Sequence, residues 1–138
     1  MRARTLVPVL AVAAAAAVTG GSALAATMGP VEVMKEPTLG NILFTPKGQA
    51  LYTWHREKAG HIKCTGACAK QWPPVIVTRA SAVPKHVAGA MATFGTIKRP
   101  DGRLQVTENG HALYRFHADP KGVAKCNNVD GWFVVKAH

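Results

Sequence analysis

Three groups of side chains in this 138-residue chain have the types and spacing to do chemistry. The first is a pair of carboxylates, Glu57 and Asp119, each five residues after a tyrosine, Tyr52 or Tyr114. Brought into one cleft they would form a general acid–base pair. Held apart, each would accept main-chain N–H groups of the turn leading into Gly60 or Gly122, and this structural role is the one expected. The second group is Cys64-x-x-x-Cys68. Four residues apart on one helical turn, the Cα atoms lie about 6 Å from each other, which a disulfide tolerates. Cys126 is left over. It is free, joined to a second chain in a dimer, or bonded to one of the first two cysteines. The third group is histidine with cysteine: His55 and His61 near Cys64 and Cys68, His111 and His117 near Cys126. These ligands suit copper or zinc, and His55 with His117 is the symmetric pair a metal site would use. Their spacing fits no zinc or haem template, so exposed strand-end histidines and no cofactor are the plainer expectation.

Hydrolytic chemistry finds no support. The chain has two serines, Ser22 and Ser81, no Gly-x-Ser-x-Gly elbow and no glycine-rich phosphate loop. No set of nucleophile, base and electrophile assembles, and a non-enzymatic protein is expected.

The elements that position these residues come from an internal duplication. Residues 48–64 align without a gap on residues 110–126, with 8 identities in 17 positions, among them Tyr52/Tyr114, His55/His117 and Cys64/Cys126. Trp54 stands opposite Phe116, and after a two-residue gap Trp72 falls opposite Trp132. Each copy reads as a β-hairpin: residues 42–45 and 50–54 around Pro46-Lys47-Gly48, and residues 104–107 and 112–116 around Glu108-Asn109-Gly110. Asn-Gly tolerates the two positive φ angles of a type I′ turn. A strand over residues 95–99 makes the second copy a three-stranded meander. Alternation puts Tyr52 with Trp54, and Tyr114 with Phe116, on one face, the better core candidate; Leu51 and Leu113 face the other way. A short helix is expected around residues 64–71, stopped by Trp72-Pro73-Pro74, and a helix or loop over residues 81–92. The fold class is therefore mainly β with a minor α part: an antiparallel sheet of two related hairpin repeats, about 41–77 and 95–135, within one domain spanning 41–138. Residues 26–40 form an N-terminal segment whose structure the pattern leaves open.

Residues 1–25 read as a signal peptide, with Arg2 and Arg4 before an apolar run, Leu6 to Val18, and Ala23-Leu24-Ala25 at the cleavage site. The remaining 113 residues carry 15 basic and 7 acidic side chains, a formal charge of +8. An extracytoplasmic location, periplasmic or secreted, follows, and that compartment is oxidising, which favours the Cys64–Cys68 disulfide. The basic charge, with a cluster at Lys98, Arg99 and Arg103, reads as a solvated surface that favours an anionic envelope component or a protein partner. Export disfavours nucleic acid, and no later segment has the length and apolarity of a transmembrane helix.

Tyr52-Thr53-Trp54-His55-Arg56-Glu57 and Tyr114-Arg115-Phe116-His117-Ala118-Asp119 carry the pattern Tyr-x-aromatic-x-x-acid. With Cys64-Thr65-Gly66-Ala67-Cys68, Trp72-Pro73-Pro74 and the 95–102 stretch, they make the chain similar to the secreted-repeat family of predicted bacterial lipoproteins. The resemblance runs from about Asn41 to Val135. It implies export and no assigned activity. Two departures stand out: Glu57 replaces the family's Asp, which is expected to weaken a tight cap, and no cysteine follows the leader for lipid attachment, so a freely soluble product is expected.

Overall fold

Chain reversals in this protein fall where residues accept a positive φ, and Asn109 (φ 48°) followed by Gly110 (φ 81°) makes the turn that Glu108-Asn109-Gly110 foretells. A computed structural model describes residues 29–138; the expected signal peptide lies outside the described residues. The elements are β1 (Glu32–Glu36), β2 (Gly40–Phe44), β3 (Leu51–Trp54), α1 (Ala67–Gln71), β4 (Ile76–Val77), β5 (Phe94–Lys98), β6 (Leu104–Glu108), β7 (His111–Ala112), β8 (Tyr114–Arg115) and β9 (Trp132–Val134). Every strand pairing is antiparallel. The mainly β architecture with one small helix agrees with the pattern in the sequence.

The expected single sheet of two plain hairpins is replaced by three small sheets: β1–β2, β8–β3–β9, and β4–β6–β5 with β7 on β6. The reason lies in the hairpins themselves. β2 and the strand entering β3 meet at the Phe44–Ala50 bridge and then part. Val135 enters the gap: Leu43 N donates to Val135 O at 3.0 Å, and Val135 N donates to Leu51 O at 3.1 Å. The second copy repeats the device. Val106 N donates to Val75 O at 2.9 Å, and Val75 N donates to Leu113 O at 3.0 Å. Each copy's hairpin is thus completed by the strand that follows the other copy's tryptophan. Buried main-chain groups must be paired, and a lone hairpin is marginal in water, so each copy gains from the exchange. A quasi-twofold axis passes through the Tyr52–Tyr114 register pair of β3 and β8. Two more bonds obey it: Gly60 N to Gly110 O at 3.0 Å and Gly122 N to Gly48 O at 2.7 Å.

The first copy begins earlier than its motif suggests. β1 and β2 form a hairpin equivalent to β5 and β6, turned at residues 37–39 by buried Glu36, whose Oε2 accepts Thr38 N and Leu39 N at 2.9 and 2.7 Å and the Thr38 hydroxyl at 2.9 Å. Burial pushes this carboxyl up, but the hydrogen bonds outweigh it and hold it below its ordinary value.

Both faces of the repeated strand are buried, not the aromatic face alone. Tyr52, Tyr114, Trp72 and Trp132 pack in one cluster, while Leu51, Leu113, Val75, Val106 and Val135 form a second, aliphatic one. The Leu face is covered because the linker folds over it. That linker is one 3-10 turn, Ala80–Ala82, followed by irregular chain bringing Val83 and Val87 onto the cluster, with no further helix over residues 83–92.

Candidate functional site

The repeated tyrosines and carboxylates bond across the quasi-axis. Tyr52 of the first copy donates its hydroxyl to Asp119 Oδ2 of the second at 2.6 Å, and Tyr114 of the second donates to Glu57 Oε2 of the first at 2.7 Å. Each carboxylate also binds the loop that follows it. Glu57 Oε2 accepts Lys63 N at 2.7 Å and Cys64 N at 3.0 Å; Asp119 Oδ1 accepts Lys125 N at 3.1 Å, and Cys126 N donates instead to the Tyr52 hydroxyl at 3.3 Å. The extra methylene of Glu57 therefore carries its carboxylate to two main-chain donors, where Asp119 reaches one. This reverses the expected weakening of the cap. Burial is the larger cause, and the bond to a carboxylate the second, of a rise in both phenols' pKa well above the ordinary tyrosine value of 10.0.

Around these phenols the aromatic residues form a ladder. Trp54 stacks on Trp132 (5.2 Å, 4°), Trp132 on Trp72 (4.0 Å, 7°), and Trp72 meets Phe116 at 4.8 Å. Tyr52 lies edge-on to Trp72 and Tyr114 edge-on to Trp132, both at 5.1 Å. The chain has three tryptophans and two tyrosines, so all five belong to this cluster. Trp54 and Phe116 close its two ends, half-buried, and the Arg56 guanidinium sits 5.8 Å above the Trp54 ring. Such pairs add about 0.5–1.5 kcal/mol each beyond the area they bury.

Arg99, expected on a basic surface, is in the interior at 4% exposure. Its Nη1 donates to Gln105 Oε1 at 2.6 Å and its Nη2 to Cys64 O at 2.8 Å, while Gln105 Nε2 donates to Leu113 O at 2.7 Å. The guanidinium ties the meander of the second copy to the disulfide loop of the first. No pattern in the sequence separates this arginine from its exposed neighbours Lys98 and Arg103.

The Cys64–Cys68 disulfide is present, with Cα atoms 5.2 Å apart, at the mouth of α1, which ends before Pro73. Cys126 is free and half-buried, and burial, followed by the charges of Asp119 and Asp130, pushes its thiol above its ordinary range. His55 and His117 occupy equivalent exposed positions, each with Nδ1 3.1 Å from a main-chain oxygen, that of Gly131 or Gln71. Among the described residues no group of three or more His, Cys, Asp or Glu side chains is arranged to hold a metal ion.

The surface carries one feature that the sequence left unread. A groove of about 570 Å³ runs between the copies, floored by Pro46, Pro73 and Pro74 and lined by Lys47, Arg103 and Arg115, with no carboxylate in its wall. A second hollow of about 350 Å³ adjoins it through Ala69 and Arg103 and adds Lys70. There Asp101 Oδ2 accepts from Arg103 Nε at 2.9 Å, leaving Lys47 and Arg115 as the groove's unpaired cations.

Fold and site together define a two-repeat β module whose copies exchange strands within one chain. The sequence matches the family described as a secreted repeat of unknown function twice, over residues 33–76 and 95–136, and the chain belongs to that family. The first match starts within β1, as the hairpin equivalence requires. No curated protein and no solved structure matches the chain. Among the described residues no helix is long and apolar enough to cross a membrane.

Proposed function

We propose that this protein is a non-enzymatic module of the cell envelope, exported into the periplasm or beyond, that binds an anionic envelope component along the groove between its two copies. The groove's wall is the observation that carries this: an unpaired cation from each copy, Lys47 from the first and Arg115 from the second, lies over an apolar proline floor whose lining holds no carboxylate, with Arg103, paired to Asp101, beside them. Prolines offer a rigid apolar surface and cations offer the charge, a combination suited to a chain of repeated phosphate or carboxylate groups. The formal charge of +8 on residues 26–138 draws such a polymer from a distance.

Sedimentation of purified protein with isolated envelope material tests this. Binding is expected to fall as salt is raised through the range where the Debye length shrinks from about 10 to about 3 Å. It is also expected to be lost in the Lys47→Glu, Arg115→Glu variant and kept in a variant with the same charge change at Lys58 and Lys98, outside the groove. Salt-insensitive binding, or equal losses in the two variants, refutes the groove.

A further inference from the structure

We infer that the aromatic ladder is a route for oxidising equivalents, running from Trp54 at the surface through Trp132 and Trp72 to the phenol of Tyr52, whose proton passes to Asp119. Every contact is direct. The ring centroids step 5.2, 4.0 and 5.1 Å, and the Tyr52 hydroxyl ends the path in a 2.6 Å bond to a carboxylate. Indole and phenol both yield one electron readily, and near-parallel indoles 4.0 Å apart spread a positive charge over both rings. A phenol holds its electron until its proton can leave, so a hydrogen-bonded base decides where such a charge comes to rest.

The two tyrosines differ in that base. Glu57, at 4% exposure, already accepts Lys63 N, Cys64 N and the Tyr114 hydroxyl on Oε2, and its Oε1 is buried as well, so a proton taken from Tyr114 would disturb three buried bonds and have no exposed oxygen from which to leave. Asp119 is half-exposed, and its Oδ2 serves Tyr52 while its Oδ1 serves Lys125 N. It can take the Tyr52 proton and release it to solvent. Trp54 is the half-buried outer indole, with its Nε1–H held by Asp130 O at 3.2 Å.

With the azidyl radical as a neutral one-electron oxidant, the step balances. Azidyl takes one electron from Trp54 and becomes azide anion. Electrons from Trp132, Trp72 and finally Tyr52 fill the vacancy in turn, and the Tyr52 proton moves to the Asp119 carboxylate. The net change is azidyl, phenol and carboxylate to azide, tyrosyl radical and carboxylic acid. In an oxidising compartment this would direct damage away from the packed indoles to one phenol.

Pulse radiolysis in azide solution tests the route on the folded protein. The early tryptophanyl absorption is expected to decay as tyrosyl absorption grows, at a rate independent of protein concentration. Tyr52→Phe is expected to lose that growth and Tyr114→Phe to keep it, the near-ultraviolet circular dichroism of the stack confirming the fold of each. Asp119→Asn, which keeps the phenol but removes the base, is expected to slow the growth, and decides the matter should Tyr52→Phe not fold. Growth that scales with protein concentration, survives in Tyr52→Phe, or is indifferent to Asp119→Asn overturns the proposal.

Discussion

Raising the pH above 10 should destabilise this protein by a calculable amount. Tyr52 and Tyr114 are fully buried, and burial together with a carboxylate partner holds both phenols protonated well above the pH at which a free tyrosine ionises. A group whose folded-state value is raised contributes stability that is complete below the unfolded value and drains away as the pH climbs toward the folded one. For these phenols the loss begins near pH 10, where the unfolded chain starts to release protons that the native state keeps. One ionising group changes stability by about 1.4 kcal/mol per pH unit, so at pH 11 the two phenols together cost about 3 kcal/mol relative to pH 8. That is a large share of the roughly 5–15 kcal/mol that a domain has in total. With a urea slope of about 1.5 kcal/mol per molar, the midpoint falls by about 2 M. Urea titrations followed by tryptophan fluorescence at pH 8, 10 and 11 would read it, with the phenolate absorbance recorded in parallel. Tyr52→Phe and Tyr114→Phe should each remove about half of the drop. The reasoning fails if phenolate absorbance rises while the near-ultraviolet dichroism of the indole stack is intact.

Three further outcomes follow from the same geometry. Reducing the Cys64–Cys68 bridge, which closes a short loop leading into α1, should cost about 2 kcal/mol, seen as a lower melting temperature in reductant that a Cys64→Ser, Cys68→Ser variant does not share. Glu57→Ala strips the acceptor from Lys63 N, Cys64 N and the Tyr114 hydroxyl and should destabilise by about 3 kcal/mol, clearly more than Asp119→Ala in the same urea titration. A Cβ on Gly131 (φ +80°) would collide with the His55 ring, so Gly131→Ala should cost roughly 2–3 kcal/mol, whereas at Gly40 (φ +77°), which has open space, the same change should cost only about 1 kcal/mol for the backbone.

What was legible in the sequence was local or periodic. Asn109-Gly110 announces its turn, the Trp72-Pro73-Pro74 block ends α1, and the alignment of Tyr52 on Tyr114 reveals the duplication before any coordinates. What escaped depends on contacts between distant segments. Val75 and Val135 look like ordinary strand residues, and nothing in their neighbourhood says that each crosses to the other copy's hairpin. Strand completion is decided by which main-chain groups would otherwise be buried unpaired, a property of the assembled chain. Arg99 escaped for a similar reason: its burial is set by Gln105 and the Cys64 carbonyl, 35 residues away. The groove is shaped by prolines of the first copy and cations of both, and alternation assigns those cations only to a generic surface. For the histidines, periodicity placed His55 and His117 in equivalent positions, but not beside the main-chain carbonyls that each faces.

The exchange of strands also sets an order of events in time. The first copy's hairpin stays open until Val135 has been made, some ninety residues after Leu43, because no nearer segment can fill the gap. A chain emerging from the ribosome therefore has no early half that can close on itself, and its decisive contacts are distant in sequence, which slows folding. In a member of a secreted-repeat family, the architecture that interlocks the finished module thus also delays the closing of the unfinished one.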